Sequence, residues 1–140
     1  MKVFSATTNI RATKETIWKL LTDAPNYPTW DPGVIRIEGR IAAGEKITAY
    51  SKINPNRAFP AKVTEFVANQ RMAWTGGMPL GLFKGVRSFT LVPKSDGTID
   101  FTLREEYTGP LLPLFGGSIP DLTQSFQDFV NGLKARAERE

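Results

Sequence analysis

The chain has 140 residues, enough for one domain with a substantial core and too few for two. Apolar residues make up 41% and charged residues 23%, with 9 Phe, 3 Trp and 3 Tyr, which excludes low-complexity disorder. Cysteine and histidine are both absent, so disulfide frameworks, thiolate or imidazole zinc sites, Ser-His-Asp and Cys-His nucleophiles, and haem held by His or Cys are excluded. Acid-base chemistry is left to Asp, Glu, Lys, Tyr or water. The formal charge of +4 is a mild basic excess that favours solubility and does not by itself indicate nucleic-acid binding.

In chain order, Val3 to Ile10 alternates, with Phe4, Ala6, Thr8 and Ile10 on one side, and reads as a half-buried strand. Thr13 is a good N-cap, Glu15 suits the first turn, and Ile17, Leu20 and Leu21 share a face, which predicts a helix of about ten residues ending before Pro25. The run from Asp23 to Pro32 is too rich in proline for more than a loop or a short helix, and it should tuck Tyr27 and Trp30 inward. Six β-rich runs follow: Val34 to Ile41, Ile47 to Ile53, Phe59 to Val67, Met72 to Thr75, Phe83 to Val92 and Ile99 to Thr108, each bounded by turn residues. Their succession predicts an antiparallel meander. After the Pro- and Gly-rich segment 109–117, Ser118 to Asp121 reads as a variant capping box opening a helix. Ile119, Leu122, Phe126, Phe129, Val130, Leu133 and Ala137 form one apolar stripe over about twenty residues, roughly 30 Å. Lys134, Arg136 and Arg139 suit the C-terminal end of that helix.

The expected fold class is therefore α+β: a curved antiparallel sheet of about seven strands covered by a long C-terminal helix, with one or two short helices after the first strand, all in one domain spanning residues 1–140. The first eleven residues carry no apolar run of the kind an export signal needs, and the stretch 109–120 is too short and too broken by proline for a membrane span. The expectation is a cytoplasmic protein without stable membrane insertion, as a monomer or homodimer.

The segment Ile10 to Asp23 (IRATKETIWKLLTD), followed by Tyr27 to Pro32 (YPTWDP), Ala61 to Phe66 (AKVTEF) and Arg71 to Trp74 (RMAW), resembles the START-like (SRPBCC) superfamily, in particular its polyketide cyclase/dehydratase branch. The order of strands and helices fits across essentially the whole chain. One departure is Ala12-Thr13 where relatives often carry proline before the cap. The resemblance implies a helix-grip fold, in which the sheet wraps around the C-terminal helix and leaves a cavity used in relatives for lipids, polyketides, hormones and other apolar small molecules. The same fold serves many unrelated tasks, so the activity must be argued from the site.

The hairpin from Phe83 to Thr108 is the most informative stretch. A three-residue loop Ser95-Asp96-Gly97 sets Lys94 opposite Thr98 and, counting back, Leu91 opposite Phe101, Phe89 opposite Leu103, Arg87 opposite Glu105 and Gly85 opposite Tyr107. The alternate positions are mostly polar, so Arg87 and Glu105 are predicted to face the apolar concave side as a cross-strand pair, a placement that is costly unless the site is partly wet. In the functional reading the pair fixes the polar end of a ligand, Arg87 donating to a carboxylate, carbonyl or phenolate and Glu105 orienting Arg87 or accepting a hydroxyl proton. The bland alternative is a structural ion pair near the strand ends. A bulge in the hairpin would turn both residues outward.

Candidate ligand-binding residues are Trp30, Phe59, Trp74, Phe83, Arg87, Phe89, Phe101, Leu103, Glu105, Tyr107, Phe126 and Phe129, with Glu105 and Arg87 the catalytic candidates if there is turnover. Each aromatic taken singly is better explained as plain core than as a ligand contact, and only collectively do they favour an apolar ligand with ring or chain character. Glu65, on the parity of Ala61 and Val63, is a second possible inward carboxylate ranked below Glu105. The loop Gly76 to Gly81 is no phosphate loop; with Met78 and Leu80 it reads as an apolar lid, and Leu111 to Phe115 as a second flank of the same entrance.

Three functions compete. The leading one is binding of an apolar or aromatic small molecule in an internal cavity, as carrier or sensor, without cofactor or metal. Its enzymatic variant is a cyclase or dehydratase in which Glu105, helped by Arg87 or Tyr107, moves a proton on an enolisable substrate. The third, implied by the resemblance, is a protein-interaction module of the chaperone-ATPase-activator type, against which stands the polar outer parity of most strands. Nucleic acid is not expected as a partner, because Lys and Arg are dispersed among acids and do not line an aromatic stripe.

Overall fold

The computed structural model describes residues 1–115, 117 and 119–140. Seven strands form one antiparallel sheet: β1 (Lys2–Ile10), β2 (Val34–Glu38), β3 (Lys46–Ser51), β4 (Ala58–Val67), β5 (Arg71–Gly77), β6 (Lys84–Pro93) and β7 (Ile99–Thr108). Their spatial order is β1-β7-β6-β5-β4-β3-β2, so each strand from β2 to β7 lies beside its neighbour in sequence and β1 closes the far edge against β7. The expected meander and the α+β class with its curled sheet and C-terminal helix are what the chain adopts.

Between β1 and β2 lie α1 (Lys14–Thr22) and a 3-10 turn at Ala24–Thr29. The Thr13 hydroxyl accepts the Thr16 amide at 3.1 Å, the cap expected there, and such a cap contributes about 1 kcal/mol. The proline-rich turn buries Tyr27 and Trp30, and the Tyr27 hydroxyl donates to the Leu21 carbonyl at the end of α1.

A four-residue helix α2 (Leu112–Phe115) precedes the last helix, α3 (Thr123–Ala137). At 15 residues α3 is shorter than the expected twenty. Ser118 of the expected capping box lies outside the described residues. The Asp121 carboxylate accepts from both the amide and the hydroxyl of Thr123, so Asp121 orders the entry to the helix from outside it. At the other end, Lys134 Nζ donates to the Asn9 carbonyl at 2.6 Å and to Glu138, whose carboxylate also accepts the Arg11 amide. Lys134 thereby ties α3 to the corner between β1 and α1, and Arg136 reaches the Thr29 hydroxyl of the 3-10 turn, beyond any interaction with the helix dipole.

The core fills the concave side of the sheet. Ile10, Met72, Phe89, Phe101 and Leu103 from the strands meet Phe126, Phe129, Val130 and Leu133 of α3, all at most 3% exposed. Trp30 packs its backbone against α3 at Gly132, where a Cβ would come within 1.9 Å of the Trp30 carbonyl oxygen. Among the described residues, no helix is long and apolar enough to cross a membrane.

Candidate functional site

The β6–β7 register is the one counted back from the turn: Leu91 opposite Phe101, Phe89 opposite Leu103, Arg87 opposite Glu105 and Gly85 opposite Tyr107, with no shift along the hairpin. Gly97 supplies the left-handed turn position at φ 87°, and Lys94 N–H donates to the Thr98 carbonyl at 2.8 Å. Because no bulge intervenes, Arg87 and Glu105 keep the parity of Phe89 and Leu103.

Pairing extends this hairpin into rows across the concave face. One row reads Phe4, Glu105, Arg87, Trp74, Val63 over β1, β7, β6, β5 and β4. The next row inward reads Ala6, Leu103, Phe89, Met72, Phe66 and is entirely apolar. The next row outward has Tyr107 opposite Gly85 and Gly85 opposite Gly76. An ion pair thus sits one row beyond dry core, beside a patch where two glycines leave the sheet without side chains.

Accessibility follows the same gradient. Phe89 and Leu103 are fully buried, whereas the Arg87 and Glu105 side chains retain 27% and 14% exposure and Tyr107 and Phe83 are half-buried. The pair is therefore wet at one end, which resolves the cost of two charges on an apolar face.

Arg87 Nη2 and the Tyr107 hydroxyl both donate to Glu105 Oε2, at 3.4 and 2.9 Å. The guanidinium carbon stands 5.0 Å over the Phe126 ring, a cation–π contact that anchors Arg87 against α3. Burial alone lowers the Arg87 pKa, but the charge and hydrogen bond of Glu105 overcome it, and the net shift is upward, so the guanidinium stays charged. Burial pushes the Tyr107 phenol up, and the neighbouring Glu105 charge and hydrogen bond add to that against Arg87. Tyr107 acts here as a neutral donor.

The expected aromatic walls are distributed unevenly. Trp30, Trp74, Phe89, Phe101 and Phe129 belong to one buried cluster, with ring centroids 5.0 Å apart for Trp30 and Phe129 and 4.6 Å for Trp74 and Phe89. Phe126 joins this cluster to the ion pair, and Phe83 stacks on Tyr107 at 6.0 Å on the accessible side. Phe59 stands apart from the expectation of a covered wall. It is 41% exposed and outside the buried cluster, with the Arg57 guanidinium 5.9 Å from its ring. Its register partner is Ala49, too small to cover it.

Glu65 is corrected. The β4–β5 register shifts between Val63 and Glu65, so Thr64 is an extra residue, Glu65 falls opposite Ala73 and pairs with Arg71 at 2.9 Å, and Phe66 turns inward opposite Met72. The bulge is why Phe66, on the opposite parity to Val63 in the sequence, shares its face in the sheet.

The structure also places residues that the sequence did not single out for the site. Phe4 meets Tyr107 edge-on at 6.5 Å and Phe126 at 6.1 Å. Its parity was visible, but its pairing with Glu105 depends on β1 docking against β7, a contact across a hundred residues. Asp31, between Trp30 and Pro32, is 7% exposed, accepts the Gly33 amide at 3.0 Å, and interacts electrostatically with Arg87. Burial raises its pKa against the Gly33 hydrogen bond and Arg87. No sequence signal marks it. The indole N–H groups of Trp30 and Trp74 are buried without a hydrogen-bond partner among the described residues, an uncommon state for a buried donor.

The two loops expected at an entrance lie together, since the Leu111 amide donates to the Leu82 carbonyl at 2.9 Å, while the first loop closes on itself through Met78 N–H to the Phe83 carbonyl at 2.7 Å. They leave Leu80, Leu114 and Met78 exposed, Leu80 at 97%.

The profile of the family described as polyketide cyclase / dehydrase and lipid transport matches residues 1–138. Among solved structures, a hypothetical protein from Helicobacter pylori superposes with a TM-score of 0.78 at 15% identity, over 97% of this chain and 88% of that one. The Zhui aromatase/cyclase from a Streptomyces species gives 0.74 at 11% identity, over 99% and 94%. A START superfamily protein from Mycobacterium smegmatis gives 0.70 at 18% identity, over 98% and 97%. At these identities the likeness is one of fold. No curated protein matches the sequence.

Proposed function

Because the chain belongs to the polyketide cyclase / dehydrase and lipid transport family, we propose that it binds an apolar or aromatic small molecule between the concave face of the sheet and α3, with the polar end of that molecule at Arg87, Glu105 and Tyr107. The observation that carries this reading is the gradient along β6 and β7, from fully buried Phe89 and Leu103 to an ion pair still 27% and 14% exposed. An ion pair serving stability alone gains little from such a position, since apolar residues of similar volume would do as well. A ligand site needs both features, an apolar wall and a few convergent polar groups that solvent can reach before the ligand does. Trp74, Phe126, Phe4 and the stacked rings of Phe83 and Tyr107 supply the wall. The test is native mass spectrometry of freshly purified protein. A co-purifying small molecule that is lost in Arg87→Met supports the reading, and protein that carries nothing and takes up no apolar probe ends it.

A second reading is a cyclase- or dehydratase-type lyase. The convergence of Tyr107 and Arg87 on one Glu105 oxygen favours it, since a carboxylate held by two donors beside an apolar wall is placed to take a proton from a bound carbon acid while Arg87 stabilises the enolate oxygen. Turnover lost in Glu105→Gln and kept in Glu65→Gln selects this reading over simple carriage.

A further inference from the structure

We propose that the site takes an uncharged ligand bearing a hydrogen-bond acceptor, such as a ketone, ester or amide, and discriminates against a carboxylate of the same shape. The inference rests on the binding reading above and adds the chemical class of the ligand.

Three features of the geometry lead to it. The cation on the concave wall is already matched. Arg87 is bound to Glu105 at 3.4 Å, and Tyr107 spends its proton on the same carboxylate oxygen, so the trio as a whole is neutral. A ligand carboxylate brought to Arg87 would stand beside Glu105 and leave one negative charge uncompensated on a face where Trp74 and Phe4 flank the pair. The charges around the trio add no positive excess. From the segment between α1 and β2, Tyr27 and Asp31 interact with Arg87; Tyr27 is a neutral phenol, and Asp31 is acidic, with Lys52 and Asp128 as further charges acting on it. Lys2, opposite Tyr107 on β1, has Asp121 within electrostatic reach. An anion therefore meets no surplus cation at any of these positions.

The third feature is independent of the charges. Trp74 is the cross-strand neighbour of Arg87, and its indole N–H, like that of Trp30, is buried without an acceptor among the described residues. Tyr27 sits between these two indoles, 4.6 Å from the Trp30 ring and 6.3 Å from the Trp74 ring, but its hydroxyl donates elsewhere, to the Leu21 carbonyl. An unmatched indole donor beside a neutralised cation calls for an acceptor atom without charge.

The experiment is a competition assay on the full chain at near-neutral pH. N-phenyl-1-naphthylamine, a neutral fluorescent probe, is displaced by either of two near-isosteric competitors, 1-acetylnaphthalene and 1-naphthoate. The ketone is expected to compete at least about tenfold more effectively than the carboxylate. In Glu105→Gln, where Arg87 becomes a surplus cation, the order is expected to narrow or reverse. Should that variant not fold, Trp74→Phe serves as a second check, since removal of the indole N–H should weaken the ketone several-fold while leaving 1-ethylnaphthalene, which has no acceptor, unchanged. Equal or tighter binding of the naphthoate by the unaltered protein overturns the inference and leaves the binding reading standing. Failure of the probe and of all three naphthalenes to bind overturns the binding reading itself.

Discussion

The ring of Tyr107 lies across Gly85 on the neighbouring strand, so closely that a Cβ at Gly85 would stand 3.1 Å from the ring carbon Cε1 and 3.3 Å from Cδ1. The glycine lets the phenol lie flat and deliver its hydroxyl to Glu105 at 2.9 Å. In Gly85→Ala the ring must retreat by a few tenths of an ångström, which lengthens that hydrogen bond. Stability should change little, because alanine in place of a strand glycine gains about 0.5–1 kcal/mol in chain entropy that offsets the crowding. Binding of N-phenyl-1-naphthylamine should weaken several-fold at a nearly unchanged melting temperature. Unaltered binding together with unaltered Tyr107 ring resonances would show that the contact yields without moving the hydroxyl.

The two members of the ion pair should differ in what their loss costs. Arg87→Met leaves the Glu105 carboxylate on an apolar wall with Tyr107 as its remaining donor in the trio. Because the pair is partly wet, the expected loss in urea unfolding is about 1–3 kcal/mol, below the 3–5 of a fully buried pair. Glu105→Gln keeps an oxygen for both donors and should cost less. A larger loss in Glu105→Gln than in Arg87→Met would contradict the arrangement described.

Alkaline pH should destabilise the protein through two tyrosines. The Tyr27 and Tyr107 phenols are both raised above 10.0, Tyr27 by burial and then by the Asp31 charge, Tyr107 by burial and then by Glu105. A raised folded pKa means that the stabilisation is complete below the unfolded value. Above about pH 10 the unfolded chain ionises first, and stability falls by up to ~1.4 kcal/mol per pH unit for each tyrosine until the folded form ionises too. Absorbance near 295 nm should show both phenols still protonated in the folded protein at pH values where denatured protein has ionised them. Simultaneous ionisation in the two states would refute the burial argument.

Asp31 gives a test of the same sign in the acidic range. Its raised pKa means that the folded state prefers it protonated, so its charge is a burden at neutral pH that lifts as pH falls through the folded value toward the unfolded 3.8. Asp31→Asn keeps an oxygen for the Gly33 amide and removes the charge. The variant should equal or exceed the parent in stability at neutral pH, and the difference should shrink below about pH 4. A variant that loses more than about 1 kcal/mol at neutral pH would mean that Asp31 holds Arg87 in place as a partner.

Much of the candidate site was legible wherever a local rule fixed it. The Ser95-Asp96-Gly97 turn admits one hairpin register, and with a period of two that register alone puts Arg87 and Glu105 on the side of Phe89 and Leu103. Glu65 failed the same parity argument because the bulge at Thr64 inserts a residue that shifts every position beyond it, and Thr64 itself reads as an ordinary strand threonine. Phe59 obeyed the pattern in sequence and is nevertheless exposed, because alternation states which face a residue takes and not whether anything covers it. The start of α3 differs from the expectation for a similar reason: the apolar stripe continues through Leu122 and Ile119, but the helix starts at Thr123, with the Asp121 carboxylate ordering its entry.

By itself the amino-acid sequence determined the strand count, the meander, the cap of α1 and the inward parity of the ion pair, since each follows from local rules of alternation, capping and turn geometry. Tertiary structure alone decided that Phe4 flanks Glu105, that Arg87 lies over Phe126 and under the influence of Asp31, and that the apolar packing stops one row short of Tyr107. Those relations join segments tens of residues or more apart, and they are set by how far a sheet of this curvature wraps around a helix of this length, which no local pattern encodes.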